Sequence, residues 1–179
     1  SDENGWTRLS RSLTIGHPAD EVWELLADLP RVCACIPGVE LTSHDGEQFT
    51  GQARISFGLI SARFTGTGKR RVDAAHKAAT ISATARDPKG QSRLQSRFAY
   101  RLLPATEPRS ELQLTIGFKL EGMLAQFNRA DLVASFADVM LRQFAANCER
   151  ALSGQAIDQA SQPGALHLLW KTFKARFFA

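Results

Sequence analysis

Between residues 49 and 120 the chain runs through five successive stretches of two-residue alternation, and a helical period takes over only afterwards. This order constrains the fold more than any other feature. Side chains that point alternately to two sides of the backbone mark strands with one buried and one wet face. In 49–57, Phe49, Gly51, Ala53, Ile55 and Phe57 alternate, and Gly58 turns the run. In 62–72, Phe64, Gly66, Gly68 and Val72 share a face opposite Arg63, Thr65, Thr67 and Lys69. Residues 79–85 alternate with Thr and Ser, and Asp87-Pro88-Lys89-Gly90 has the composition of a hairpin turn. Leu94, Ser96, Phe98, Tyr100 and Leu102 oppose Arg93, Gln95, Arg97 and Arg101. Leu112, Leu114, Ile116, Phe118 and Leu120 complete the series. An opening strand is expected over 6–15, with Leu9, Leu13 and Ile15 on one face. The sum is an antiparallel sheet of about six strands, apolar on one face.

Helical signals flank this sheet. His17-Pro18 stops the first strand, and Pro18-Ala19-Asp20-Glu21 starts a short helix with its acids in the first turn. Val22, Trp23, Leu25 and Leu26 form its buried side, and Pro30 is expected to end it. A second short helix is expected over 32–36, closed by Pro37-Gly38. One long helix is expected over 123–152, striped by Val133, Phe136, Ala137, Met140, Phe144 and Cys148. An apolar sheet face must be covered, and this helix is the obvious cover. The fold class is therefore α+β.

The 179 residues, 44 % hydrophobic, suffice for one domain and an appendage. A net charge of +4 is too mild for a dedicated nucleic-acid binder, so no nucleic acid is expected as a partner. Much of the excess lies in Lys69-Arg70-Arg71 and the C-terminal tail. No apolar run reaches the roughly 20 residues of a membrane span. The acidic, polar opening is not a secretory signal. Three cysteines, an odd number, argue against a disulfide framework, and a reducing cytoplasm fits. Cys33 and Cys35 read as buried free thiols rather than metal ligands.

Residues 153–163 are small and polar, like a linker, after a body spanning 1–152. In 164–179, Leu166, Leu169, Trp170, Phe173 and Phe177 stripe one helix face. His167, Lys171 and Lys174 take the opposite face, with Arg176 at the flank. Aromatic residues opposite Lys and Arg suit a helix lying in a membrane interface. Docking on a partner and packing on the body are the alternatives.

No catalytic signature is present. His17, His44, His76 and His167 lie in turns, strand ends or the tail, without a helical metal-pair spacing. The chain lacks a G-x-S-x-G elbow, an H-E-x-x-H helix and a glycine-rich phosphate loop. By strand parity Arg11, Arg70, Ser96 and Tyr100 face inward, as polar handles in an otherwise apolar interior. A buried unpaired charge is costly. Arg11 and Arg70 therefore either reach the rim or meet an acid, unless a bulge turns them outward. Trp23, Phe57, Phe64, Phe98, Phe118, Phe136 and Met140 are either core or cavity wall.

The element order resembles the START/Bet v 1-like (SRPBCC) superfamily, in which a curved sheet grips a long C-terminal helix around a cavity. Within it, several segments resemble the CoxG family of carbon monoxide dehydrogenase subunits. They are Ile15 to Pro18 with Val22-Trp23, the CIPG turn in Ala34-Cys35-Ile36-Pro37-Gly38-Val39-Glu40, Phe64-Thr65-Gly66 and Asp87-Pro88-Lys89-Gly90. Gly122-Met123-Leu124-Ala125-Gln126-Phe127 is similar to the start of its long helix, and the basic aromatic tail to its tails. The resemblance covers about residues 9–152. It implies a non-catalytic accessory protein of a molybdenum hydroxylase, with no tightly bound cofactor. The implied role is to carry a quinone-like molecule in the cavity and to recruit the enzyme to the inner face of the cell membrane. The competing expectation is an aromatase/cyclase-like enzyme on the same fold, which would need an acid–base pair in the cavity.

Overall fold

Seven strands form, one more than the alternation suggests. They are β1 (Thr7–Ile15), β2 (Val39–Asp45), β3 (Gln48–Phe57), β4 (Ile60–Asp73), β5 (Ala78–Arg86), β6 (Ser92–Pro104) and β7 (Ser110–Gly122). They pair antiparallel in one sheet, in the order β1-β7-β6-β5-β4-β3-β2. The helices are α1 (Ala19–Ala27), α2 (Leu29–Cys35) and α3 (Ala130–Leu152). The computed structural model of the chain describes residues 4–57, 60–89, 91–127 and 130–157. Gly58, the linker beyond Ile157 and the whole 164–179 segment therefore lie outside the described residues.

The additional strand, β2, is the far edge. Its alternation lasts only through Val39 and Leu41. The register then shifts between Leu41 and Ser43, and the remaining residues are polar and exposed. A bulged, polar edge is how sheets discourage further pairing.

Proline acts differently from the expectation at α1 and α2. Pro18 is the N-cap residue of α1, its carbonyl accepting from Val22 N at 3.1 Å. Pro30 does not end α1, which stops at Ala27; it sits in the first turn of α2. There a missing N–H costs nothing, and Asp28 caps the helix by accepting from Arg31 N at 3.0 Å.

The two motif glycines are required by geometry. Gly38 has φ +74°, and a Cβ there would stand 2.5 Å from the Arg54 carbonyl oxygen. Arg54 N in turn donates to Gly38 O at 2.8 Å. The chain leaves α2 and enters the sheet against β3 only because this residue has no side chain. Gly122, φ +83°, ends β7 against the Gln91 carbonyl. The residues after Gly122 do not start the long helix. Met123–Phe127 is a separate 3₁₀ turn, tied by Met123 N to Gln91 O at 3.0 Å, and α3 begins at Ala130.

The core sits at one end of the sheet. Ile15, Val22, Leu25, Leu26, Cys35, Leu102, Leu112, Phe144 and Cys148 are packed together, none more than 8 % exposed. They come from β1, both short helices, β6, β7 and the C-terminal half of α3. Asn147, 0 % exposed, crosses this core and donates to Cys35 O at 3.0 Å, pinning α3 to the end of α2. The three cysteines are free and buried. A hydrogen bond with Cys35, together with burial, holds the Cys148 thiol far above the usual thiol range.

Candidate functional site

The register aligns the inward residues in rows that cross the sheet. Arg11 stands opposite Leu114, which faces Tyr100 and then Ala79. The next row runs Leu9, Ile116, Phe98, Ile81 and Arg70. A third runs Thr7, Phe118, Ser96, Ala83, Gly68 and Phe49. The pleat puts each row on one face. That face is the one α3 and α1 cover, because Arg11 bonds to α3 and Arg70 to α1. No bulge has turned either arginine outward.

Packing along this face is uneven. At the core end, Phe144 is 8 % exposed and Leu102 2 %. Toward the N-terminal half of α3, Val133, Phe136 and Met140 are only half-buried. So are Leu9, Leu114, Phe98, Phe118, Ser96 and Leu94 on the inner face of β1, β6 and β7. Inward apolar residues that keep accessible surface are not closely packed, so the packing of this face loosens away from the core end.

Three of the expected wall residues differ from these in what is described of them. Phe64, 1 % exposed, is enclosed. Trp23 packs against the core cluster from α1. Phe57 is paired with Ile60 on β3, and its side chain lies outside the described ones. The expected tail contacts, Leu166, Leu169, Trp170, Lys171, Phe173, Lys174, Arg176 and Phe177, also lie outside the described residues.

The two inward arginines solve the burial problem differently. Arg11 meets an acid: its Nε donates to Asp138 Oδ1 of α3 at 2.6 Å, and its Nη1 to the Ser10 carbonyl at 3.0 Å. Its side chain keeps 31 % exposure and that of Asp138 41 %, so the pair stands at an open margin. Arg70 meets neither rim nor acid. It is 5 % exposed, and its Nη2 donates to the carbonyls of Leu26 at 2.5 Å and Ala27 at 3.1 Å. These are last-turn carbonyls of α1, where the helix dipole favours a cation. Tyr100 OH lies 3.5 Å from Arg70 Nη2 and donates to Leu26 O at 3.4 Å. Burial pushes the Tyr100 phenol up, and the neighbouring guanidinium opposes this in part.

Sequence reasoning missed Asp138 and Asn147. The signal for Asp138 was indirect: an inward Arg11 needs a counter-charge, and Asp138 adjoins the apolar stripe of α3. Asn147 sits between Phe144 and Cys148 on that stripe, a polar residue at a core position.

Among the described residues no group of three or more His, Cys, Asp or Glu could hold a metal ion. His17 and His76 are engaged on the exterior with Glu21 at 3.1 Å and Asp73 at 2.7 Å. The inner face thus offers apolar walls, the phenol of Tyr100, the hydroxyl of Ser96 and the Arg11–Asp138 pair. Such a surface suits a molecule with a large apolar body and a few hydrogen-bonding oxygens.

Comparison with known proteins agrees with this architecture. A family model for CoxG, a subunit of carbon monoxide dehydrogenase, matches residues 12–153. No curated protein matches the sequence. Among solved structures, a conserved protein from Geobacillus kaustophilus is similar with a TM-score of 0.72 at 13 % identity, over 83 % of this chain and 96 % of that one. The Zhui aromatase/cyclase from Streptomyces sp. R1128 is similar at 0.61 and 18 %, over 84 % and 99 %. Norcoclaurine synthase from Thalictrum flavum, in complex with dopamine and hydroxybenzaldehyde, is similar at 0.57 and 9 %, over 84 % and 89 %. At these identities the likeness is one of fold, the Bet v 1-like helix-grip fold.

Proposed function

The chain belongs to the CoxG family of carbon monoxide dehydrogenase, and from that membership we propose that it is accessory to that molybdenum hydroxylase rather than catalytic and that it carries a quinone-like molecule between the enzyme and a membrane. The observation that supports the reading most is the loss of burial along α3, from Phe144 at the core end to half-buried Met140 and Phe136. A quinone with an isoprenoid tail is nearly insoluble, and carriage through water needs an apolar shell. Its carbonyl oxygens accept hydrogen bonds, which Ser96 and the Arg11 margin can donate.

Contact with the bilayer is assigned to 164–179, through the apolar stripe and basic flank of that segment. Among the described residues no helix is long and apolar enough to cross a membrane. The enzyme reading has less support. Asp138, a carboxylate at the inner margin, is already engaged by Arg11 at 2.6 Å rather than paired with a second acid or base.

The test is direct. Purified protein extracted with organic solvent yields a lipophilic molecule with quinone absorbance and mass, and decyl-ubiquinone binds the stripped protein. Met140→Trp fills the space and weakens that binding without unfolding the chain. An empty extract together with no response to decyl-ubiquinone refutes the carrier.

A further inference from the structure

On its central strands the outer face of the sheet is strongly positive. On the central strands β4 contributes Arg63, Lys69 and Arg71 there, and β6 contributes Arg93, Arg97 and Arg101, all exposed. The register sets like charges directly opposite one another twice, Arg54 against Arg63 and Arg86 against Arg93. Such pairs destabilise a sheet. The second is relieved by Glu121, opposite Arg93 and bonded by Lys119 at 3.1 Å. The first has no acid opposite it. Asp73 is the acid on the outer positions of β4–β6, and it stands at the strand end, held by His76 at 2.7 Å.

An open groove of about 580 Å³ crosses this face. Its cationic lining is Arg8, Lys69, Arg71 and Arg97, and among the described residues no Asp or Glu lines it. Thr80, Ser82 and Thr115 supply hydroxyls. Trp6 lines the groove with the Arg97 guanidinium over its ring, 4.6 Å from the centroid, which fixes that charge in place. Lys69 is shared with Glu47 at 3.3 Å.

We propose that this groove is where the chain docks a carboxylate-rich segment of its partner hydroxylase. The proposal rests on the reading of the chain as accessory to that enzyme, and it names the surface. Arginine outnumbers lysine here, and its planar fork matches a carboxylate bidentately. A lipid surface suits the groove less, because interfacial binding needs protruding apolar area and Trp6 lies beneath Arg97. Single-stranded nucleic acid needs open stacking platforms, and this aromatic is covered.

The experiment measures binding of the full chain to the purified hydroxylase from the same organism, at low and high salt. Wild type binds, and binding weakens as salt screens the contact. Arg71→Glu with Arg97→Glu weakens it about tenfold or more and leaves decyl-ubiquinone uptake unchanged. Arg71→Gln with Arg97→Gln, which removes charge without reversing it, gives a smaller loss in the same direction and serves if the reversal disturbs the sheet. Unchanged affinity in both double variants overturns the docking surface and leaves the partnership standing. No binding by wild type overturns both. Loss of binding to phosphatidylglycerol vesicles or to a single-stranded oligonucleotide, with hydroxylase binding intact, overturns it in favour of lipid or nucleic acid.

Discussion

Phe144 and Met140 sit one turn apart on the same side of α3, yet they should answer truncation very differently. Phe144 is 8 % exposed inside the core cluster. Removing a packed phenyl ring costs about 4 kcal/mol, from lost transfer energy and the cavity left behind. For a chain of this size each kcal/mol moves the melting temperature by about 3 °C, so Phe144→Ala should lower it by about 12 °C. Met140 already keeps part of its surface in contact with solvent. Its truncation should cost about 1.5 kcal/mol, or about 5 °C. Circular-dichroism melts with and without decyl-ubiquinone complete the assay. At a hundredfold excess over Kd a ligand adds about 2.7 kcal/mol, so wild type should gain about 8 °C. Phe144→Ala should keep that gain and Met140→Ala should lose most of it. Equal costs for the two truncations, with equal ligand shifts, would mean that α3 is uniformly packed and that the interior is not a binding space.

Two further tests address other parts of the chain. Tyr100 is the sole tyrosine, so absorbance at the phenolate band reports it alone; ionisation in the folded protein should begin only above the ordinary value near 10. Between the unfolded and the raised folded value the unfolded chain binds fewer protons, so stability should fall as pH climbs through that window, and a folded-state titration at or below the ordinary value refutes the buried phenol. Truncation after Gln162 should abolish binding to anionic vesicles, and binding by the intact chain should weaken with salt. The melting temperature should stay nearly unchanged; a truncation that unfolds the body would make the tail part of the core.

Alternation was legible wherever a strand is paired on both sides and covered on one face, as in β4, β6 and β7. It failed for β2, since an edge strand owes its polar residues to solvent on both faces and its bulge breaks the period. Parity placed Arg11, Arg70, Ser96, Tyr100, Phe98 and Phe118 on the inner face, because a ladder without bulges carries parity across the sheet. The partners of those side chains were not legible. Arg70 Nη2 is held by the carbonyls of Leu26 and Ala27, and main-chain acceptors leave no trace in side-chain identity. Gly122 and the apolar residues after it read as the start of a helix, but a positive φ at Gly122 turns the chain first. Trp23 and Phe64 were legible as apolar and inward, but their degree of enclosure was not; that depends on how far α1 and α3 reach over the sheet.

The strand order also governs how the chain can be made. From β2 to β7 every neighbour in the sheet is also the next strand in the chain, so those hairpins can form as each strand leaves the ribosome. β1 is the exception. Its partner is β7, and Thr7 waits for Phe118. Until then the first strand has an unpaired edge, and α3, which packs mainly on β1, α1 and α2, has not been synthesised. Closing so long a loop carries an entropic cost that local hairpins avoid. A nascent chain therefore acquires its basic outer face early and its enclosed interior last. Under the carrier reading, nothing apolar can be loaded until α3 has been made and packed against β1.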